Sequence, residues 1–483
     1  MPHCDVLIRD ARILDGSGRD AFDGTVAVRV GRIVSVDAGP EWHAESIVDA
    51  KGMVLSPGFI DTHTHDDTSA IETPAMLPKL TQGVTTVVVG NCGISASPVS
   101  QHNPLPGPMQ LLGTPGMMQY RSFADYARAV NIAQPAVNVA ALVGHTTLRG
   151  NHMDRFDRAA TDSEITAMRA QLVQALEEGA LGLSTGLAYH NAFAATLDEV
   201  LRVAGPLGDA GGMYATHMRS ETAAILDAME ESFAVGRTAR QVPVLISHLK
   251  CAGPENWGRT NDVLELLDRA RSTQTVHCDC YPYTASSSIL DLKQVDERIE
   301  IRITWSEPHP DASGKTLASI AEAWSITQME AATRLQPAGA IYHNMSADDV
   351  KRVLQHPAVM VGSDGLPHDP RPHPRLWGTF PRVLGHFCRD EKIFDLPTAV
   401  HKMTGLSAAT IGLVDRGLIR EGYMADLVLF DPNTVRDEAT WDDSTRASSG
   451  IHRVWVNGVL SLVDGVATVD RAGKFLPRAK RSA

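Results

Sequence analysis

The sequence predicts an α/β fold: a (β/α)8 TIM-like barrel with a small β-sandwich domain formed by the N- and C-terminal segments. Three observations lead there. Eight short apolar runs alternate with helical patterns through the middle of the chain, the texture of parallel strands buried on both faces. Helix-free, β-branched segments occupy both ends. Five of the eight runs finish on the candidate metal ligands His63, Cys92, His217, His248 and Asp364, at the strand ends where barrels of this kind build their sites.

In the N-terminal flank the strand candidates are residues 6–14, 25–36 and 47–55, with Gly16-Ser17-Gly18 as turn chemistry after the first. Residues 1–14 alternate polar and apolar positions around Asp5, Arg9, Asp10 and Arg12. They lack a basic stretch followed by an apolar one and read as a first strand rather than a leader. Near the other end, 425–430 and 452–463 repeat the texture, with hairpin signals at Asn457-Gly458 and Asp464-Gly465. The expected division is a small β domain from residues 1–56 and 415–483, and a catalytic barrel over 57–414 with an inserted segment at about 285–342.

The barrel runs are 58–63, 84–92, 137–145, 180–185, 213–217, 244–248, 276–281 and 359–364. Between them a helix is expected over 161–178, where Thr161 and Glu164 form a capping-box pattern ahead of an Ile165, Met168, Leu172, Leu176 stripe. Further helices are expected over 221–240, 262–271 and 315–335. The last falls in the segment between runs seven and eight, which is too long for an ordinary loop and reads as a cover over the site.

Composition narrows the function. Hydrophobic residues make 43% and charged residues 21% of 483, the balance of a globular protein, and no apolar run approaches the roughly 18 residues that span a bilayer. A membrane partner is therefore not expected. A formal charge of −13 opposes a polyanion, so nucleic acid is excluded as the main ligand. Six cysteines in so long a chain do not make a disulfide framework, and a reducing cytoplasm fits them. A monomer or small homo-oligomer acting on a small molecule remains.

The first run ends in Asp61-Thr62-His63-Thr64-His65. Spacing of i, i+2 in an extended chain puts both imidazoles on one face, where two neutral rings can bind one metal ion. Taken alone, the pattern arises often by chance. Cys92, His217, His248 and Asp364 end four other runs, however. Any one of them reads equally well as a buried thiol, a core histidine or a turn aspartate. Five strand ends converging on metal-ligand types is hard to obtain from packing.

With those residues in view, the sequence resembles the amidohydrolase superfamily, whose Pro-Gly-Phe-Ile-Asp-x-His-x-His motif stands at Pro57 to His65. It resembles the N-acyl-D-amino-acid deacylase (D-aminoacylase) branch more sharply, through Gly90-Asn91-Cys92-Gly93, Gly144-His145-x-x-Leu148-Arg149, Gly182-x-Ser184-Thr185-Gly186, Ala215-Thr216-His217-Met218-Arg219 and Gly362-Ser363-Asp364-Gly365. The likeness covers nearly the whole chain. Two-metal relatives bridge their metals with a lysine or glutamate from the fourth strand, whereas here that strand offers only Ser184 and Thr185, and Cys92 is the replacement. A thiolate with two imidazoles favours zinc and leaves a fourth position open, so Cys92, His217 and His248 are the expected tight site. His63 and His65, sharing Cys92 and Asp364, either hold a second, weaker metal or orient the substrate carbonyl.

The resemblance implies hydrolysis of N-acyl-D-amino acids. Asp364 is then the general base, passing a proton from water to the leaving amine, and His63 a candidate to polarise the scissile carbonyl. It also implies that Lys250, Tyr281 and Arg375 bind the substrate α-carboxylate, with Tyr189 as a further pocket residue. Relatives with acidic and neutral preferences differ in the basic residue of the stretch after the seventh strand. Here that stretch includes Ser287 and Lys293, so Lys293 is expected to pair with the side chain of N-acyl-D-aspartate or N-acyl-D-glutamate. The alternative is a broad enzyme for neutral D-residues with Lys293 merely exposed. Residues His190-Asn191-Ala192 after Tyr189 depart from the proline expected there. A cyclic-amide hydrolase needs the missing bridging lysine, a deaminase has no role for the carboxylate-binding set, and a non-catalytic scaffold predicts lost ligands.

Overall fold

The computed structural model describes residues 2–100 and 106–479, so Met1 and residues 480–483 at the ends of the expected β domain lie outside the described residues. Each of the eight runs contains a barrel strand. They are Phe59–Asp61, Val84–Val89, Asn138–Ala141 with its continuation Val143–Gly144, Gly182–Gly186, Met213–His217, Val244–Ile246, Val276–Cys280 and Val359–Val361. Neighbours pair in parallel around the ring. A parallel bridge between Thr64 and Gly365 joins the first strand's end to the eighth's. The strands are buried throughout, save partial exposure at His217 and His277, which is why they read as continuous apolar runs.

The helix Asp162–Glu177 starts at Thr161 with both capping-box hydrogen bonds present and buries Ile165, Met168, Leu172 and Leu176. Helices Ile225–Thr238 and Thr260–Arg271 occupy the next two expected places. Residues 315–335 form two helices rather than one, Leu317–Trp324 and Gln328–Leu335. Ser325 sits left-handed at φ 55°, and Thr327 with Glu330 makes a second capping box that starts the chain afresh.

The terminal flanks interlock. Strand His3–Ile13 pairs with Phe22–Arg29, His43–Asp49 and Val54–Pro57, and the last pairs with Leu427–Phe430 from the far end of the chain. With Arg32–Ser35, Ile451–Val456, Val459–Val463 and Val466–Ala467, nine strands are joined in one hydrogen-bonded sheet. Around it packs a core that includes Ile8, Ile13, Val26, Leu55, Leu427 and Trp455. Two expected strands prove to be pairs. Residues 25–36 fold back at Val30-Gly31 (φ 50° and 73°), and 47–55 break at Lys51-Gly52 (φ 51° and 73°). The turns at Asn457-Gly458 and Asp464-Gly465 have the same two left-handed residues in a row.

Between the seventh and eighth barrel strands, Ser286–Ile289, Ile301–Ser306 and Ala338–Tyr342 form an antiparallel sheet. Together with the two helices above, it packs around a separate small core that includes Leu290, Ile303, Leu317 and Leu335. The first of these strands lies against the mouth of the barrel, where Ser286 and Ser287 line the cavity described below.

Candidate metal centre

At the C-terminal mouth of the barrel, two donor sets meet at one thiol. His63, His65, Cys92 and Asp364 form one, and Cys92, His217 and His248 the other, the ligand atoms of each lying within 4.8 Å of one another. Cys92 Sγ stands 3.2 Å from His63 Nε2 and 3.4 Å from His248 Nε2. Asp364 Oδ1 lies 3.1 Å from His65 Nε2 and 3.5 Å from His63 Nε2. Burial alone would raise the Cys92 pKa, but His63 and His248 pull it well below the usual thiol value, giving the thiolate a metal requires. His65 Nδ1 and His217 Nδ1 are buried without a hydrogen-bond partner. One thiolate and several imidazoles suit zinc.

The backbone explains how strands of three to six residues aim these groups. Cys92, His248 and Asp364 each sit just beyond a strand with positive φ, 54°, 36° and 50°, a left-handed kink that turns the side chain into the mouth. Such conformations cost on the order of 1–3 kcal/mol each and need neighbours that hold them. His248 donates its amide N–H to Asp279 Oδ1 at 2.7 Å, and Asp364 donates its own to the His63 carbonyl at 2.8 Å. The Cys92 turn is held by the fourth strand. Ser184 Oγ accepts from Gly93 N at 3.0 Å and donates to Gly90 O at 2.5 Å. A Cβ on Gly186 would stand 2.1 Å from Cys92 O, so the turn packs directly on this strand. The fourth strand, which carries no carboxylate or lysine at its end, thus supports the turn that presents the thiol.

A second layer fixes the rings. Asp279, fully buried in the seventh strand, faces His63 Nδ1 at 3.4 Å. Glu221 Oε1 lies 2.8 Å from His248 Nδ1 and 2.6 Å from Lys250 Nζ, and its other oxygen 3.9 Å from His217 Nε2. Burial pushes the Glu221 pKa up, but Lys250 and the two histidines hold it far below the usual carboxylate range. Its placement behind a candidate ligand ring is the geometry of carboxylate–histidine–metal triads. Neither Asp279 nor Glu221 was expected from the sequence. Asp279 had one visible signal, a carboxylate inside the apolar run 276–281, whereas Glu221 is an ordinary surface letter until the fold brings it to His248.

A cavity of about 970 Å³ opens on the centre, lined by His65, Tyr189, His217, Lys250, Tyr281, Ser287, Lys293 and Asp364 among others. Arg375 lies behind this wall as the first residue of helix Arg375–Arg382, not in a loop as its proline-rich surroundings suggest. It is fully buried, its Nη2 2.9 Å from Asp364 Oδ2 and its Cζ 4.5 Å from the Tyr281 ring centroid. Arg375 Nε and Nη1, Tyr281 OH and Ser287 Oγ are all buried and have no hydrogen-bond partner. Burial pushes the Asp364 pKa up, yet Arg375, His65 and His63 hold it well below its ordinary value and so keep it ionised. The Tyr189 ring packs 4.9 Å from that of His217. Lys293 is exposed at the rim, its Nζ 5.2 Å from the Phe193 ring centroid.

The chain matches the amidohydrolase family over residues 46–287 and 307–461. It is 48% identical over 474 residues to an N-acyl-D-aspartate deacylase of Alcaligenes xylosoxydans xylosoxydans, covering 98% of this chain and 95% of that one. Among solved structures, a D-aminoacylase studied for its binuclear metal centre, with one-metal activation and second-metal attenuation, matches with a TM-score of 0.96 at 46% identity, covering 98% of this chain and 100% of the other. An N-acyl-D-glutamate deacylase of Bordetella bronchiseptica, complexed with zinc and a phosphonate mimic of the tetrahedral intermediate, matches at 0.93 and 44% over 98% and 100%.

Proposed function

The chain belongs to the amidohydrolase family, alongside the N-acyl-D-amino-acid deacylases, and from that premise we propose that it is a zinc-dependent hydrolase. It splits the amide of N-acyl-D-amino acids into a carboxylate and the free D-amino acid. The observation that carries this reading is the socket beside Asp364. Arg375, Tyr281 and Ser287 offer buried donors with no partner, and Lys250 adds a cation 5.9 Å from the Tyr281 ring centroid. Burial of unpaired donors is costly unless a ligand completes them, and a carboxylate accepts from such a set.

Cys92, His217 and His248 would hold the tight zinc, and His63 and His65, with Cys92 and Asp364, a second and weaker one. When bound, zinc supplies activation of water near neutral pH and polarisation of the scissile carbonyl. Asp364, kept ionised, takes the proton of the attacking water and returns it to the leaving nitrogen, which cannot depart as an amide anion. Arg375 holds Asp364 by one oxygen and leaves the other facing the centre. His63 Nε2 faces the same space and serves as ligand or as a donor to the carbonyl. Arg375, Tyr281, Lys250 and Ser287 anchor the α-carboxylate, and Tyr189 walls the pocket beside His217.

The side-chain preference is for D-aspartate or D-glutamate. Of the cations lining the cavity, Lys250 is paired with Glu221, Arg219 with Glu231, and Arg298 with Glu255 and Asp296. Lys293 forms no ion pair among the described residues and is free to meet an acidic side chain. Its position over the Phe193 ring favours the second reading, a broad enzyme for neutral D-residues. Steady-state rates on N-acetyl-D-aspartate, N-acetyl-D-glutamate and N-acetyl-D-leucine decide between them, with Lys293→Ala as the control. The expected kcat/KM is highest on an acidic substrate, and the variant loses about 10- to 100-fold on that substrate alone, the worth of one charged hydrogen bond. Best turnover on the leucine compound overturns the acidic preference, and no turnover on any overturns the reaction itself.

No helix of the described residues is long and apolar enough to cross a membrane. All six cysteines are free and buried, which supports a cytoplasmic, reducing location.

A further inference from the structure

Lys79 lies on the short helix Leu77–Leu80, between the first two barrel strands, and has no exposed surface. Its ammonium donates to Asp61 Oδ2 at 2.9 Å and to Ser363 Oγ at 2.8 Å, and stands 3.2 Å from Asp66 Oδ2. Each partner is a chain neighbour of a candidate ligand. Asp61 is two residues before His63, Asp66 directly follows His65, and Ser363 directly precedes Asp364. The same residues stitch the strand ends to each other: Ser363 N donates to Asp61 Oδ1 at 2.8 Å, and Gly365 N to Ser363 Oγ at 3.2 Å. Neither Asp61, Asp66 nor Ser363 has a hydrogen bond to Cys92, His217 or His248 among the described residues.

We propose that Lys79 is a positioning residue for one half of the centre: its three contacts hold His63, His65 and Asp364 in register as the second metal subsite, and it has no comparable hold on the Cys92, His217, His248 set. Two buried carboxylates converge on one ammonium here. Removing that ammonium leaves Asp61 and Asp66 uncompensated, and their repulsion falls on the seam where the first and eighth strands meet. The seam is also where the barrel closes through the Thr64–Gly365 bridge. A purely structural lysine at this place would destabilise the whole mouth, whereas a positioning lysine weakens one subsite selectively.

The inference rests on the two-subsite reading above, and zinc titration of the full-length protein separates the two. Metal-free wild type, titrated with zinc against a competing chromophoric chelator, shows one tight and one weaker equivalent. For Lys79→Met the tight equivalent keeps its affinity, and the dissociation constant of the weaker one rises about 10- to 100-fold, the usual cost of losing an outer-layer partner. Ser363→Ala removes one of the three contacts and shifts the same equivalent in the same direction by less. If Lys79→Met does not fold, Ser363→Ala alone decides. Parallel loss at both equivalents, or no change at either, overturns the role of Lys79. A wild type that takes up one equivalent only overturns the two-subsite reading itself.

Discussion

The two halves of the metal centre share Cys92 and differ in what stands behind the other ligands. Behind the His217 and His248 rings is one carboxylate, Glu221, which faces the rings and Lys250 and leaves the ring edges toward Cys92 free, while Asp279 accepts from the His248 amide as well as facing His63. Behind His63, His65 and Asp364 is a dense network. Asp364 accepts from Arg375 and faces both imidazoles, His63 is tied to Asp279, and the chain on either side is fastened through Asp61, Asp66 and Lys79. A metal entering the first half meets a thiolate and two imidazoles. One entering the second must share Asp364 with a buried guanidinium. The affinity of a subsite follows from what its ligands are already bound to as much as from how many there are, which is how the proposed centre would serve a tight and a weak position through one shared thiolate.

Arg375→Ala breaks this comparison most severely. It leaves Asp364 without its buried counter-charge and removes the strongest donor of the proposed carboxylate socket. Loss of one partner of such a pair costs about 3–5 kcal/mol, so kcat/KM on an N-acyl-D-amino acid falls by roughly two to four orders of magnitude. The second subsite should tighten in the same variant, because Asp364 no longer answers to a guanidinium. Steady-state kinetics alongside zinc titration check both, and a variant with wild-type kcat/KM, or with a weaker second subsite, contradicts the account. Glu221→Gln sharpens the other side with a smaller effect. The tight equivalent should lose about 10- to 100-fold in zinc affinity while the weaker one holds, as read by the same titration. An equal loss at both would show that the halves are not independently supported.

The strand ends are legible because a parallel barrel strand is apolar until it stops. Cys92, His217, His248 and Asp364 stand out in the sequence for that reason, and the fold brings them together as a candidate site. The turns that split 25–36 and 47–55 carried a signal, Val30-Gly31 and Lys51-Gly52, but a residue such as valine at positive φ is uncommon enough to hide it. Residues 315–335 look like one amphipathic stretch until Thr327 caps a second helix. The supporting layer was the least legible. Glu221 and Lys79 acquire meaning only when the fold brings them to His248 and to the Asp61–Ser363 seam, across separations no local pattern spans. Asp279 was legible in principle, since a carboxylate in a strand buried on both faces must find partners.

The central claim is a division of labour, with Cys92 holding the activating zinc and Asp364 moving the proton. Zinc content and turnover of Cys92→Ala and Asp364→Ala, measured on the same preparations, test it most directly. The account predicts that Cys92→Ala loses its zinc and its activity together. Asp364→Ala should retain one zinc per chain and lose about 10²- to 10⁴-fold in kcat, the usual contribution of a positioned acid–base group. Full zinc in Cys92→Ala, or full turnover in Asp364→Ala, would contradict it.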